Sequence, residues 1–304
     1  MTIKSLLSVA KLTAEDINRL IARSKELKQG RPSQLPTGKI LALLFEKPSL
    51  RTKVSFDVAM YQLGGHAIYL SQSEVGLGKR EPVADVARVL SRYVNGIVVR
   101  TFSQSLAEEL AHYASVPVIN ALTDEEHPCQ ALADLLTILE KKGRLKGLNV
   151  AYVGDGNNVA HSLMLAAALA GANFCIGFPE GYEPNAEIVA RAQAFAVKSG
   201  VKIGLVHDPQ EAVTGADVVY TDVWTSMGQE AESEIRRKVF APYQVNRKLL
   251  SLANKDYLFM HPLPAHAGEE IEKGLLDSPQ SVVFDQAENR LHIQKAILEE
   301  LLGN

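Results

Sequence analysis

Apolar positions along the chain alternate between two registers. Thr13-Ala14-Glu15-Asp16 reads as a helix N-cap with an acidic residue three positions on, and Ile17, Leu20, Ile21 and Leu27 then recur at helical spacing until Gly30 and Pro32. Residues 39–45, Lys39 followed by an apolar run over 40–45, predict a buried strand, and helical spacing returns over 51–63 after a Pro48-Ser49 corner. The alternation continues through a strand over 96–100, a helix over 106–114, a strand over 116–119 and a long helix over 127–142 that ends at Gly143. A second series opens with a strand over 148–153, a polar loop over 154–158 and an Ala/Leu-rich helix. Further strands are expected at 173–178, 202–205, 218–221 and 258–260, with a closing helix over 291–302. Strands alternating with helices predict an α/β fold in which mostly parallel sheets are flanked by helices.

At about 150 residues per domain, 304 residues predict two domains. The charged stretch 141–146 divides them into 1–142 and 143–289, with a helix at about 290–304 free to pack back on the first. Hydrophobic residues make up 46% and charged residues 22%, which excludes disordered, collagen-like and coiled-coil chains. Lys+Arg number 32 against 35 Asp+Glu, a net charge of -3, so there is no basic field for nucleic acid or an anionic membrane. Two cysteines, Cys129 and Cys175, are too few for a disulfide framework and fit a reducing compartment. The first residues lack the apolar core of a signal peptide, and the most apolar stretch, 163–172, falls well short of the roughly 20 residues that span a bilayer. A soluble, cytoplasmic protein is expected.

Ligands of α/β sheets sit at the carboxyl ends of strands, so the segments after each strand hold the candidate chemistry. Ser49-Leu50-Arg51-Thr52 places two hydroxyls and a guanidinium on a first helical turn, where free N–H groups and the helix dipole attract anions. The same pattern also suits a simple Ser N-cap with a solvated Arg. Arg100 ends an apolar strand, either reaching to the surface or facing a cleft. His127-Pro128-Cys129-Gln130 offers an imidazole and an amide able to bond a carbonyl oxygen, or equally a capping His and a polar helix face. Gly154-Asp155-Gly156-Asn157-Asn158 lacks the third glycine of a dinucleotide loop, and the histidines lack metal-ligand spacing. Neither a cofactor nor a metal is expected.

These segments, followed in order by Asp222-Val223-Trp224-Thr225-Ser226-Met227-Gly228 and His261-Pro262-Leu263-Pro264, resemble the aspartate/ornithine carbamoyltransferase family over essentially the whole chain. The Asp222–Gly228 segment resembles the family's ornithine branch. The resemblance implies two α/β domains with an active-site cleft between them. It implies transfer of the carbamoyl group of carbamoyl phosphate to the side-chain amine of L-ornithine, giving L-citrulline and phosphate, a step of arginine biosynthesis. It assigns carbamoyl phosphate to Ser49, Leu50, Arg51, Thr52, Gly76, Arg100, His127, Pro128, Cys129, Gln130, Pro262, Leu263 and Arg290, and ornithine to Asn158, Asp222, Ser226 and Met227. Arg100, His127 and Thr52 would face the developing oxyanion, with Asp222 at the amino-acid substrate. A cis peptide before Pro264 would aim the Leu263 carbonyl toward the carbamoyl NH2 group. A homotrimer, or a multiple of trimers, is implied, with the 71–81 loop near a neighbouring subunit's site.

Three positions depart from the family pattern. Leu50 replaces a hydroxyl residue, Gly76 stands where many ornithine enzymes have Gln, and Pro262 stands where the ornithine branch has Cys. His261-Pro262-Leu263-Pro264 is the aspartate branch's form, whereas Asp222–Gly228 specifies the head-group contacts of the ornithine branch and carries more weight. Alternative readings are a carbamoyltransferase for another acceptor (aspartate, putrescine or an N-acylated ornithine) and a carbamoyl-phosphate-binding subunit without turnover.

Overall fold

A computed structural model describes residues 3–78, 80–226 and 228–303. The chain forms two compact units, one of residues 1–133 and 288–304 and the other of residues 134–287.

The first unit starts with a 3-10 turn, Val9–Lys11, and α1 (Ala14–Lys28), whose N-cap Thr13 and Asp16 close a capping box. There follow β1 (Ile40–Phe45), α2 (Leu50–Gln62), β2 (His66–Ser71), α3 (Gln72–Val75), α4 (Val83–Tyr93), β3 (Gly96–Arg100), α5 (Gln104–Tyr113), β4 (Val118–Leu122) and the first turns of α6 (Pro128–Lys142), whose remainder belongs to the second unit. The four strands are parallel in the order β2-β1-β3-β4. Five of the six residues of β1 and all of β3 are buried, as a parallel sheet covered on both faces requires. Ala42, Leu44, Ile97 and Val99 pack against Val86, Ala87, Ala107 and Leu110 of α4 and α5.

The second unit contains β5 (Asn149–Val153), α7 (Asn158–Ala170), β6 (Asn173–Gly177), α8 (Ala186–Ser199), β7 (Ile203–Val206), α9 (Pro209–Val213), β8 (Val218–Thr221), α10 (Ser233–Phe240), α11 (Arg247–Leu250) and β9 (Leu258–Met260). Its five strands are parallel in the order β7-β6-β5-β8-β9. Trp224, Phe240, Tyr243 and Phe259 anchor one face of its core. The chain closes with α12 (Val283–Leu302).

The expected α/β fold with two parallel sheets is the fold observed. Local differences have local causes. β2 carries a short apolar run over 67–70, but as an edge strand it is only partly covered, and the reading above passes over it. It also passes over α4. The strand expected at 116–119 runs instead over Val118–Leu122, since Pro117 cannot supply a ladder N–H. The closing helix begins at Val283, eight residues earlier than expected, because its first turns mix Asp285, Gln286 and Glu288 with the apolar positions.

Strand order fixes where ligands can enter. In the first sheet consecutive connections reverse direction between β1 and β3, and in the second between β5 and β8. At such a switch point the loops leave on opposite faces and open a crevice at the strands' carboxyl ends.

Candidate functional site

At the β1/β3 switch point Phe45 is paired with Arg100, so the loop after β1 and the Arg100 side chain leave the sheet side by side. Ser49 N-caps α2, accepting from the Thr52 N–H at 3.3 Å and donating to the Thr52 hydroxyl at 3.1 Å. Arg290, 3% exposed, donates to Gln130 Oε1 at 2.7 Å and to Thr52 Oγ1 at 3.0 Å. Thr52, Gln130 and Arg290, expected together from the resemblance, are therefore joined by hydrogen bonds. Leu50 opens α2 with its side chain exposed, and Gly76 ends α3 in a left-handed conformation (φ 61).

Arg100 is 5% exposed, and its Nε has no hydrogen-bond partner among the described residues. Burial, with the nearby charges of Arg290 and Arg51, brings its guanidinium down to about 9. His127 is held well below the ordinary imidazole range by burial first and then by Arg290, Arg100 and Arg51. Three clustered guanidiniums and a neutral imidazole beside a helix N-terminus have the chemistry to hold an anion and to donate to a carbonyl oxygen. Cys129 belongs to the wall behind it. Its thiol is fully buried, faces the Asn120 carbonyl oxygen at 3.6 Å, and is pushed up to about 12 by burial. Pro128 is the first residue of α6 and supplies the fixed φ that suits a helix start.

The loops around this cluster are stitched together. Glu46 N donates to the Arg100 carbonyl at 2.8 Å, and its carboxylate accepts from the Thr101 hydroxyl. Lys47, buried, pairs with Asp124 and lies over the Phe102 ring, 4.1 Å from its centroid. Lys47 was not singled out by its sequence context, where a lysine reads as a solvated surface residue.

At the β5/β8 switch point of the second unit, Asn157 and Asp222 meet. Asn157 N-caps α7 by accepting from Val159 N at 3.0 Å and Ala160 N at 3.1 Å, and its Nδ2 donates to Asp222 Oδ2 at 2.9 Å. Burial pushes the Asp222 carboxyl above its usual range, against the lowering influence of His261, the Val223 N–H and the Asn157 amide. Gly156 lets this loop lie flat on its neighbour, since a Cβ there would fall 2.2 Å from the Pro184 nitrogen. Asn158, assigned to ornithine by the resemblance, is the first residue of α7, and it is its neighbour Asn157 whose side chain bonds Asp222. The N-cap signature of Asn157 was visible in sequence, but its second bond depends on β5 lying beside β8.

Arg236 of α10 secures the loop after β8. It donates to the Trp224 carbonyl at 2.9 Å and Asp155 Oδ2 at 2.7 Å, and its guanidinium lies over Tyr182 at 4.9 Å. Ser226 lies in this loop, its N–H donating to Gln229 Oε1 at 3.0 Å. Met227 lies outside the described residues. Beyond β9, His261 is buried; its Nδ1 accepts from Leu263 N at 2.9 Å and its Nε2 lies 3.4 Å from Glu270. Leu263 has φ 59 and precedes Pro264 through a cis peptide, with Pro262 leading into the turn.

Among the described residues, His266, Glu269 and Glu270 have potential metal-ligand atoms within 4.8 Å of one another. Glu269 pairs with Arg237, and Glu270 Oε1 accepts from the His266 backbone N–H. No helix among the described residues is long and apolar enough to cross a membrane.

Residues 4–140 match the carbamoyl-P binding domain of the aspartate/ornithine carbamoyltransferases, and residues 146–301 match the Asp/Orn binding domain of the same enzymes. A protein of Thermococcus kodakarensis described as ornithine carbamoyltransferase is 54% identical over 304 residues, covering 99% of this chain and 96% of the relative. One of Bacillus subtilis with the same description is 56% identical over 299 residues, covering 98% and 94%. A solved structure of ornithine carbamoyltransferase from Pyrococcus furiosus superimposes with a TM-score of 0.96 at 54% identity, covering 99% of this chain and 97% of that one.

Proposed function

The chain belongs to the aspartate/ornithine carbamoyltransferase family, and on that premise we propose that it transfers the carbamoyl group of carbamoyl phosphate to the side-chain amine of L-ornithine, giving L-citrulline and phosphate. The observation that carries this reading is the cluster of Arg51, Arg100 and Arg290 around the N-terminus of α2, with the buried Arg100 Nε unpartnered among the described residues. A phosphate dianion is the ligand that converging guanidiniums beside a helix N-terminus suit.

Arg51, Arg100 and Arg290, with Ser49 and the first N–H groups of α2, hold the phosphate. The Thr52 hydroxyl, Arg100 and the neutral His127 ring donate to the carbamoyl oxygen, and these bonds strengthen as that oxygen gains charge. Gln130 Oε1, already an acceptor toward Arg290, accepts from the carbamoyl NH2 group. In the second unit Asp222, held by Asn157, takes the α-ammonium of ornithine together with Ser226, and Asn158 donates to its carboxylate.

The free side-chain amine attacks the carbamoyl carbon, a tetrahedral oxyanion forms, and the carbon–oxygen bond to phosphate breaks. The departing phosphate takes the amine's proton. Pro262 offers no titratable group, so this route leaves the free-amine fraction to solution pH, and turnover rises toward the pKa of the ornithine side chain, near 10.

The biosynthetic direction accords with relatives from Pyrococcus furiosus and Campylobacter jejuni described as anabolic. A cytoplasmic homotrimer completes the proposal. Leu50, Val54 and Tyr61 expose one apolar stripe along α2, and Ile68 extends it onto the edge strand β2, a surface suited to another copy of the chain. The 71–81 loop, which carries Gly76, would then serve a neighbouring phosphate site. Lys79, also in that loop, lies outside the described residues.

The test is citrulline formation from carbamoyl phosphate and ornithine across pH 6 to 10, with aspartate and putrescine in parallel. Citrulline with an alkaline optimum is expected. Product from another amine and none from ornithine would overturn the assignment of the acceptor.

A further inference from the structure

The segment before His127 is tethered from two sides. Thr123 to Glu126 form a closed turn, in which Thr123 N donates to the Glu126 carbonyl at 2.9 Å and Glu126 N donates to the Thr123 hydroxyl at 3.1 Å. Toward the sheet, Asp124 pairs with Lys47 and its N–H donates to the Phe102 carbonyl at 2.8 Å. On the other side stands Glu126, 2% exposed. Its Oε1 accepts from the Ser8 hydroxyl at 2.5 Å and its Oε2 accepts from the Val9 N–H at 2.9 Å.

Ser8 and Val9 are themselves fixed. Leu6 N donates to the Val118 carbonyl at 2.9 Å, Asn120 N returns a bond to the Leu6 carbonyl at 2.7 Å, and Asn120 Nδ2 donates to the Leu7 carbonyl at 2.9 Å. The N-terminal segment is thus bonded to β4, and Glu126 ties the turn after β4 to that segment. A carboxylate placed inside the protein on a hydroxyl and an amide is a costly tether if packing is its only role. Its position immediately before His127 supplies another role.

We infer that Glu126 is a positioning residue for carbamoyl transfer, fixing the turn that sets the place of the His127 ring at the carbamoyl oxygen. The inference rests on the carbamoyl-phosphate reading of the first unit. It follows from geometry: His127 stands between α6 and the turn that feeds it, and that turn is held by Asp124 on one side and Glu126 on the other. Donors to a developing oxyanion lose their advantage when displaced by a fraction of an ångström. Loosening one tether should therefore act on the chemistry of carbamoyl phosphate and spare ornithine.

The experiment is a double-mutant cycle between Glu126→Ala and His127→Ala, with Glu126→Gln and Ser8→Ala as milder partners. Glu126→Ala is expected to lower kcat/KM for carbamoyl phosphate by about 10- to 100-fold and to leave KM for ornithine within about two-fold. Glu126→Gln, which keeps one acceptor oxygen, should recover most of the loss. In the His127→Ala background Glu126→Ala should add less than about two-fold. Equal losses in both backgrounds, or a parallel rise in KM for ornithine, would overturn the inference and leave Glu126 a stability residue.

If Glu126→Ala does not fold, Glu126→Gln and Ser8→Ala carry the same cycle. If the wild-type protein forms no citrulline, the acceptor assignment fails separately. The cycle is then read by calorimetry with a non-hydrolysable phosphonate analogue of carbamoyl phosphate. Weaker binding in Glu126→Ala that vanishes in the His127→Ala background would support the inference, and additive losses would overturn it.

Discussion

Arg100→Met should stabilise the ligand-free protein while destroying its activity. An ordinary guanidinium keeps its proton even in strongly alkaline solution, whereas in this structure burial, Arg290 and Arg51 bring Arg100 down to about 9. At about 1.4 kcal/mol per tenfold change in a protonation equilibrium, that displacement opposes the charged form by on the order of 5 kcal/mol. Methionine removes the charge and keeps much of the apolar stem, so part of this is recovered and part is lost in packing and in the remaining guanidinium contacts. A net gain of about 1–3 kcal/mol is expected, which at about 2–4 °C per kcal/mol raises the melting temperature by several degrees.

The ligand reverses the order. Inorganic phosphate at 100 times its Kd should stabilise the wild-type protein by about 2.7 kcal/mol, and the variant by little, because one of the dianion's buried guanidinium partners is gone. Turnover should fall by roughly 100- to 1,000-fold or more, as when a donor to a developing oxyanion is removed. The assay is thermal denaturation with and without phosphate, beside steady-state citrulline formation. A variant that melts below the wild type and gains as much from phosphate would refute the view that Arg100 is an uncompensated cation held for an anion.

Two further outcomes follow from the site. His127 is neutral in the fold, whereas an unfolded chain protonates it near pH 6.5. The unfolded state therefore binds more protons below that pH, and stability falls by up to about 1.4 kcal/mol per pH unit as the solution is acidified; denaturant titrations between pH 7.5 and 5 should show this slope in the wild type and lose it in His127→Gln, and parallel curves would contradict a buried neutral ring. Asn157→Ala should cost about 1–3 kcal/mol from the lost helix cap and the unsupported Asp222 carboxylate, and should raise KM for ornithine without changing KM for carbamoyl phosphate; Asn157→Asp keeps the cap but faces Asp222 with a like charge, so normal ornithine kinetics in that variant would separate Asn157 from the substrate.

Much of the α/β architecture was readable because both periodicities are strong where burial is complete. The runs at β1, β3 and β5 are apolar on both faces, and Thr13 and Gly30 bracket α1 by the local chemistry of caps and breakers. β2 was missed for the converse reason: an edge strand has one free side, so its residues answer to solvent as much as to neighbours. The anion cradle was readable in composition, since Ser49, Arg51, Thr52 and Arg100 stand at strand ends. The sequence alone left each of them an alternative as a cap or a surface cation.

Tertiary structure adds contacts that no local pattern shows. Arg290 lies 160 positions from Gln130 and 238 from Thr52, yet bonds to both. Asn157 reads as a cap until β8 brings Asp222 beside it, and Lys47 and Glu126 read as surface charges until the loops after β1, β3 and β4 close around them. Local propensity and hydrophobic period act over a few residues, so the sequence by itself determined which elements form and which strand ends carry polar groups. Burial and long-range pairing depend on which strand ends become neighbours, and strand order decides that only when the sheets assemble.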